Sequence, residues 1–346
     1  MRIAIIGAGA IGGTMAALLA RAGHDVAVTA RGTQLAAIRE GGIRLRGSFG
    51  STVARVSASE VLEAPPQLAI VATKAQDAGA AIAANSALLG AIPLVIVQNG
   101  ITSLNSAQHR APTAAVVGGL AVYAASFLSP GEVFVTVGGM TLLGGEPRAT
   151  ATVASVIGAV MPVSTTTNFV GAQWTKLVVN HVNAMPAITG LSVQETLANR
   201  GLRLLITESM REAVRVAKAA GIRFETLQGL SDARLRAFVA CPAVLGQSVP
   251  LAMRRRMGAT PNPGSTLQSI RRAQPTEIDY LNGAVVELGL KIGVLTPVSA
   301  GLVELVHEVE RTGRFVGPDA VLARLGLLGR LDLLGRLGLR GRLGSR

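Results

Sequence analysis

The chain has 346 residues, 49% of them hydrophobic, and a formal charge of +13. This length and apolar content favour a sizeable core and two domains rather than one. No apolar run reaches the ~18 residues that a membrane span needs, so no membrane partner is expected. The single cysteine, Cys241, excludes an internal disulfide and a cysteine-based metal set, and the four histidines are scattered. We therefore expect a cytoplasmic protein without a metal site.

Part of the positive charge lies at the end of the chain. From residue 322 to residue 346, six arginines stand against one aspartate, a net +5 that leaves +8 for the rest. The composition is only 3% aromatic, and no basic run is interleaved with aromatic residues, so no nucleic-acid partner is expected. A moderately basic protein of this kind suits an anionic cofactor and an anionic substrate.

The first thirty residues show the pattern of a strand, a glycine turn, a helix and a second strand. Residues 2–6 are a short apolar run, residues 11–22 have a helical pattern, and residues 24–30 supply the second strand. The glycines between the first strand and the helix form G-x-G-x-x-G, which in this context favours dinucleotide binding at the helix N-terminus. The expected cofactor contacts are Gly7, Gly9, Ala10, Ile11 and Gly12.

The end of the second strand bears on the choice of cofactor. It has no acid to hold a ribose 2′-hydroxyl, and Arg31 stands there instead. An arginine at this place accommodates a 2′-phosphate, so NADPH is preferred over NADH. The alternative is that Arg31 is an ordinary solvated loop residue.

Polar residues follow two further buried strands. Lys74 comes just after the strand at residues 68–72, and Gln98 and Asn99 follow the strand at residues 94–97. Because ligands sit beyond the carboxyl ends of the strands in an open parallel sheet, these three residues and Arg31 are expected at the cofactor site. Any one of them could instead be a solvated turn residue, which is a poorer explanation for all four together.

The predicted fold class is α/β, with an N-terminal Rossmann-type doubly wound sheet followed by an all-helical C-terminal domain. We expect a cofactor domain at residues 1–168, a helical substrate or dimerisation domain at 169–321, and a low-complexity Leu/Gly/Arg tail at 322–346. The tail could be frayed, or it could be a leucine-lined helix on a partner. A small hairpin is predicted near residues 43–56. A second is predicted around Gly138-Gly139, between strands at 132–137 and 140–143.

One helix of the second domain, predicted over residues 173–185, has a polar stripe. Lys176, Asn180 and Asn183 lie within about 60° of one another, while the valines and leucines occupy other faces. If these polar groups are buried, they need hydrogen-bond partners in a ligand, in water or in each other. The solvent-exposed edge of an ordinary amphipathic helix would have the same pattern. His181 points away and is expected to be packed or on the surface.

A later stretch combines Ser265 with a predicted helix start at Pro275-Thr276. Thr276 and Asp279 have the spacing of a capping box. Glu277 would lie in the first turn, where the helix dipole favours a carboxylate even without any role in chemistry.

Taken together, these motifs resemble the ketopantoate reductase (2-dehydropantoate 2-reductase) family over roughly residues 1 to 310. The resemblance rests on the glycine fingerprint, the polar residues after the strands, Trp174-x-Lys176-Leu-x-x-Asn180, and Ser265 twelve residues before Thr276-Glu277-Ile-Asp-Tyr-x-Asn282-Gly283. It implies that NADPH reduces a small anionic 2-oxo acid, 2-dehydropantoate in the first instance. A homodimer would be compatible with it.

The resemblance also implies roles for individual residues. Lys176 would be the general acid, and Glu277 would bind the substrate hydroxyl or orient the lysine. Asn180, Asn183 and Ser265 would bind the substrate, with Ser265 at its carboxylate. The cofactor would be held by the fingerprint residues and by Arg31, Lys74, Gln98 and Asn99.

The chain departs from the family pattern at two substrate positions. Ala184 stands where members often have a second asparagine, and Ser269 stands where they commonly have aspartate. Reduction of a related 2-oxo acid therefore stays open. So does a different class of protein, an NADPH-binding sensor or interaction module without turnover.

Overall fold

The computed structural model describes residues 1–258 and 261–326. The chain divides after Gln173 into two compact units, the first α/β and the second helical, and this confirms the predicted fold class. No helix in the described part of the chain is long and apolar enough to cross a membrane. Most of the predicted tail, residues 327–346, lies outside the described residues, although the last described helix reaches Arg324.

The first unit is built on one mixed sheet, which has ten strands in the described residues. Their order is β4-β3-β9-β8-β7-β6-β1-β2-β5, with β10 beside β9. The strands are β1 Arg2–Ile6, β2 Asp25–Thr29, β3 Ile43–Gly47, β4 Thr52–Ala54, β5 Ser57–Ser59, β6 Leu68–Val71, β7 Pro93–Val97, β8 Ala115–Ser129, β9 Glu132–Gly145 and β10 Val163–Thr165.

The sheet is buried on both faces at its centre. In β1, Ile3 and Ile5 pack into one apolar layer, while Ala4 and Ile6 pack into the layer on the other face. Because alternate side chains of a strand point to opposite faces, a run of apolar residues is what such a strand requires. β1 pairs in parallel with β2 and β6, and β7 is parallel to β6, so these strands end at the same edge.

Of the two predicted hairpins, the structure contains the first and not the second. β3 and β4 pair antiparallel, as expected. The turn predicted at Gly138-Gly139 is wrong, because residues 132–145 form one continuous strand, β9, that runs antiparallel to β8. A side chain at Gly139 would overlap the carbonyl oxygen of Val122, beside an irregularity in the β8–β9 pairing. These glycines therefore serve a close strand approach rather than a turn.

The helices cover both faces of the sheet and make up the second unit. In chain order they are α1 Ala10–Arg21, α2 Gly32–Gly41, α3 Ala75–Leu89, α4 Ser103–Arg110, α5 Pro147–Gly158, α6 Phe169–Asn180, α7 Ala184–Thr189, α8 Val193–Ala198, α9 Arg200–Ala219, α10 Asp232–Ala240, α11 Ala243–Gly246, α12 Ser248–Arg256, α13 Gly264–Arg271, α14 Asn282–Ile292, α15 Pro297–Thr312 and α16 Pro318–Arg324. Two 3₁₀ turns, His181–Asn183 and Ile278–Tyr280, precede α7 and α14.

The second unit is organised around α9. Its residues Leu202, Leu205 and Ile206, followed by Met210 and Ala213, recur at the three- and four-residue spacing of a helix face and are fully buried. The Asn199 side chain accepts hydrogen bonds from two backbone amides of the first turn and begins the helix. α14, α15 and several shorter helices pack against α9.

Candidate functional site

The glycine turn has three different local environments. Gly7 has φ +100°, and a side chain there would lie 2.8 Å from the backbone nitrogen of Thr73. A side chain at Gly12 would overlap the carbonyl oxygen of Gly7, so this glycine lets α1 approach β1 closely. By contrast, a Cβ at Gly9 would have no atom within 4 Å. Gly7 and Gly12 are thus required by the fold, whereas Gly9 faces space that a ligand can enter.

The N-terminus of α1 offers backbone donors at this turn. Two of the amides already have acceptors in Thr29. The amide of Gly7 donates to the Thr29 hydroxyl at 3.1 Å, and the amide of Ala8 donates to the Thr29 backbone carbonyl at 3.2 Å. In the described residues no side chain caps α1, and its first turn carries no acid. The amides of Ala10 and Ile11 lie in the part of a helix that has no intrahelical acceptor and that binds anions well. The turn therefore fits the pyrophosphate of a dinucleotide.

The four polar residues expected beyond the strands all lie at the carboxyl edge of the parallel strands. Arg31 follows β2, is exposed, and precedes α2. Lys74 follows β6, is partly buried, and precedes α3. Gln98 and Asn99 follow β7, and Gln98 is buried while Asn99 is partly buried. β2, β1, β6 and β7 are consecutive neighbours in the sheet, which brings the residues to one edge.

Gln98 connects two of these strand ends. Its side-chain nitrogen donates to the backbone carbonyl of Thr73 at 2.8 Å and lies 3.2 Å from the carbonyl of Lys74. Its side-chain oxygen is buried and accepts no hydrogen bond from the described residues. Gln98 therefore fixes the backbone that carries Lys74 and keeps one acceptor available, which is a role that the motif alone does not indicate.

In the second unit, Lys176 lies on α6 beside buried apolar residues. Leu177 and Val178 are fully buried, and Lys176 itself is partly buried. Burial lowers the pKa of Lys176 from 10.5 to about 8, and the nearby negative charge of Glu277 opposes this by raising it. An ammonium with such a pKa holds a proton near neutral pH and can release it readily.

The helix that carries Lys176 is shorter than predicted. α6 ends at Asn180, the 3₁₀ turn His181–Asn183 follows, and α7 begins at Ala184. The prediction of one continuous helix over residues 173–185 is thus wrong. Asn180 and Asn183 are both partly buried.

α13 brings Ser265 close to this turn. The helix packs against α7 and the His181–Asn183 turn, and a side chain at Gly264 would lie 2.7 Å from the Asn183 side-chain oxygen. Ser265 follows Gly264 in the first turn of α13 and is exposed. Ser269 is buried, and its hydroxyl donates to the Ser265 carbonyl at 3.4 Å.

Glu277 does not begin a long helix, and the predicted capping box is wrong. The residue precedes the 3₁₀ turn Ile278–Tyr280, and α14 starts only at Asn282. The Thr276 hydroxyl accepts from the amide of Ile278 at 3.3 Å, and Asp279 contacts His307 instead of a helix amide. Helix capping therefore does not explain the carboxylate at position 277. Its negative charge instead acts on Lys176, whose pKa it raises.

A buried polar network lies behind the 3₁₀ turn, and sequence reasoning missed it. Asn282 donates to His181 Nδ1 and to the Ser209 hydroxyl, both at 3.1 Å, and Ser209 lies 3.1 Å from the Ser299 hydroxyl. Burial lowers the pKa of His181 to about 3, so the ring is neutral. Glu212, also buried, accepts from the Ser299 amide at 2.7 Å. His181 is thus packed, one of the two outcomes expected from its direction on the helix.

Comparisons with known proteins agree with these features. Residues 3–147 match the family described as Ketopantoate reductase PanE/ApbA, and residues 168–310 match the C-terminal part of the same family. A 2-dehydropantoate 2-reductase of Pyrococcus horikoshii is 26% identical over 319 residues, which cover 90% of this chain and 99% of that protein. One from Mesorhizobium japonicum is 28% identical over 344 residues, covering 89% and 98% respectively.

Solved structures show the same architecture. A PanE/ApbA family ketopantoate reductase of Ralstonia eutropha has a TM-score of 0.77 and 28% identity, covering 90% of this chain and 99% of that one. D-mandelate dehydrogenase, solved with NADH and anilino(oxo)acetate, has the same TM-score at 22% identity over 90% and 99% of the two chains, which shows a shared fold. The chain therefore belongs to the ketopantoate reductase family and is an oxidoreductase of the ketopantoate reductase kind.

Proposed function

We propose that this protein reduces 2-dehydropantoate to pantoate with NADPH and that Lys176 is the general acid. The observation that carries the proposal is the coupled pair of Lys176 and Glu277, in which a partly buried lysine with a pKa of about 8 is kept charged by a carboxylate. Family membership and the relatives named 2-dehydropantoate 2-reductase support the same substrate.

The chemistry follows from the charge that develops during reduction. A reduced nicotinamide, when bound, supplies the hydride to the 2-keto carbon. The former carbonyl oxygen gains negative charge, and an ammonium beside it stabilises that charge and then gives it a proton. Because burial has lowered the pKa of Lys176, this transfer is easier than from an ordinary lysine. Glu277 keeps Lys176 protonated between turnovers.

The remaining predicted residues fit the polar groups of the substrate. Asn180 and Asn183 are partly buried amides on the Lys176 segment, and Ser265 is an exposed hydroxyl at the start of α13. Amide and hydroxyl donors can bind the carboxylate and hydroxyl oxygens of a small 2-oxo acid. We assign Ser265 to the carboxylate and the two asparagines to the substrate oxygens.

The preference for NADPH rests on the edge of the sheet. The second strand ends at Thr29 without an acid, and the exposed guanidinium of Arg31 follows it. A guanidinium binds a phosphate through several charge-assisted hydrogen bonds, which a ribose hydroxyl cannot match. Lys74 and Asn99, at the neighbouring strand ends, would complete the binding of the cofactor.

The test is consumption of NADPH and NADH across a panel of 2-oxo acids that differ at C3 and C4. We expect the highest kcat/KM for 2-dehydropantoate with NADPH. Lys176→Ala should lower kcat by ~10²-fold or more, whereas Lys291→Ala, at an exposed pair with Glu287, should leave it unchanged.

The outcomes separate the parts of the proposal. Near-normal turnover by Lys176→Ala would rule out the general acid while leaving the activity in place. A higher kcat/KM for another 2-oxo acid would overturn the substrate, and Ala184 and Ser269 would be the first residues to examine. If the protein binds the cofactor but turns over none of the 2-oxo acids in the panel, the proposed reductase activity is rejected.

A further inference from the structure

Two side chains of α15, His307 and Glu310, hold the turn that carries Glu277, and Asp279 of the turn itself contacts His307. His307 Nε2 lies 2.9 Å from a carboxylate oxygen of Asp279, and its Nδ1 lies 2.7 Å from a carboxylate oxygen of Glu310. The other oxygen of Glu310 accepts from the backbone amide of Thr276 at 2.7 Å. We call Asp279, His307 and Glu310 the α15 clamp.

The clamp requires a charged histidine. A carboxylate can only accept a hydrogen bond, so each ring nitrogen of His307 must donate to the carboxylate beside it. Both nitrogens carry a proton only in the imidazolium form. Partial burial lowers the pKa of His307, but the hydrogen bonds to Glu310 and Asp279 outweigh this and raise the pKa above its ordinary value of 6.5.

The charges that act on His307 come from the clamp itself. α7, which packs against α15, has no ionisable side chain. On α14, Glu287 and Lys291 pair with each other, and on α9 Glu212 binds the amides at the start of α15. On α16, Arg324 pairs with Glu308.

Glu277 lies between the two points that the clamp holds. The backbone amide of Thr276 is fixed on one side of it, and the carboxylate of Asp279 is fixed on the other. The backbone carbonyl of Glu277 accepts from the amides of Tyr280 and Leu281 at 3.0 and 3.1 Å, which closes the turn. With both flanks fixed, the Glu277 side chain has one backbone position from which to reach Lys176.

We propose that His307 is a positioning residue for the Lys176–Glu277 pair, because it holds the turn at residues 276–279 against α15. The functional consequence rests on the proposed role of Lys176 as general acid, whereas the positioning itself does not. Neither His307 nor Glu310 belongs to a motif around the site, so the assignment comes from the fold alone.

The direction in which the pKa of Lys176 shifts in a His307 variant distinguishes a positioning role from a direct electrostatic effect of the His307 charge. Replacing His307 by glutamine removes the positive charge between two carboxylates. This change, taken alone, would raise the pKa of Lys176. Release of the turn has the opposite effect, because Lys176 loses the carboxylate that keeps it charged. A lower pKa of Lys176 in the variant therefore indicates that Glu277 has moved.

The experiment measures the pKa of Lys176 without turnover. The full-length protein is labelled briefly with acetic anhydride at a series of pH values, and acetylation of Lys176 is followed by peptide mass spectrometry. His307→Gln is compared with the wild type, with Glu277→Gln as the reference for complete loss of the carboxylate. Glu308→Gln is the matched control, since it breaks an ion pair of α15 away from the turn.

We expect the midpoint of labelling to fall by about 0.5 pH unit or more in His307→Gln and further in Glu277→Gln, and to stay unchanged in Glu308→Gln. An unchanged or higher midpoint in His307→Gln would overturn the proposal, including where the variant is less stable. Because labelling needs no substrate, absence of turnover on every 2-oxo acid would reject the proposed function and leave this result standing.

Discussion

The two units of the chain present their predicted site residues by different physical means. In the first unit, the groups that fit a cofactor are backbone amides, glycines and residues directly after strands. In the second unit, the important pairs join side chains far apart in sequence, such as His181 and Asn282, which are 101 residues apart. A backbone site depends on close packing, whereas a side-chain site depends on desolvation and on partners. The two should therefore fail in different ways.

The largest effect is expected from Gly12→Val. Its side chain would overlap the carbonyl oxygen of Gly7, and neither backbone segment can yield without separating α1 from β1. We expect a loss of stability of about 3 kcal/mol or more and no measurable NADPH binding. Urea unfolding and titration of NADPH fluorescence measure the two quantities.

Gly9→Ala is the matched control within the same turn. A Cβ at Gly9 meets no atom within 4 Å, so stability should change by less than about 1 kcal/mol. Cofactor affinity should still fall, because a pyrophosphate must approach the backbone there. Wild-type stability in Gly12→Val would contradict the packing role of that glycine.

The second unit should be most sensitive at its buried network. Asn282→Ala removes the donor to His181 Nδ1 and to the Ser209 hydroxyl, and both groups are buried. Because the Ser209 hydroxyl also lies 2.7 Å from His181 Nδ1 and can still donate to it, losing the Asn282 partner should cost roughly 1 to 2 kcal/mol in the free energy of unfolding, measured with urea. The surface variant Lys291→Ala, at an exposed ion pair, should cost less than about 0.5 kcal/mol. Equal losses in the two variants would show that the network adds no stability.

The same contrast explains what could be predicted from the sequence. The strands near the glycine turn were predictable, because period and turn residues are local signals. The residues predicted to bind the cofactor lie at the expected edge for the same reason, since parallel strands end together. Their contacts with a cofactor, the homodimer and the cytoplasmic location stay predictions.

The errors arose where one local pattern serves two structures. Gly138-Gly139 has the composition of a turn, but adjacent glycines also permit a close approach of two strands. Thr276 and Asp279 have capping spacing, but Asp279 binds His307. No spacing rule connects the segments that carry Lys176 and Glu277, or those that form the α15 clamp. These interactions could therefore be recognised only in the folded structure.

A smaller effect, on activity, should come from Glu277→Gln. Because the pKa of Lys176 is about 8, kcat/KM should be nearly constant below that pH and should fall tenfold per pH unit well above it. Glu277 raises this pKa, so the variant should lose activity at lower pH, with roughly tenfold less activity than the wild type near pH 8.5 if the pKa falls by about one unit. A pH profile of kcat/KM tests this. An identical profile in the variant would show that Glu277 does not control the charge of Lys176.

The smallest expected effect is the contribution of His307 to stability, and its pH dependence has a definite sign. Because the pKa of His307 is raised in the folded protein, its stabilising contribution is complete below pH 6.5 and is lost as the pH rises through the folded-state pKa. The side chain is 40% exposed, so the contribution should remain below about 1 kcal/mol. The difference in unfolding free energy between wild type and His307→Gln should therefore be largest at pH 6 and should shrink as the pH rises from 6.5 through the folded-state pKa of His307. A difference that is constant across this range would mean that packing of the ring, rather than its charge, holds the turn to α15.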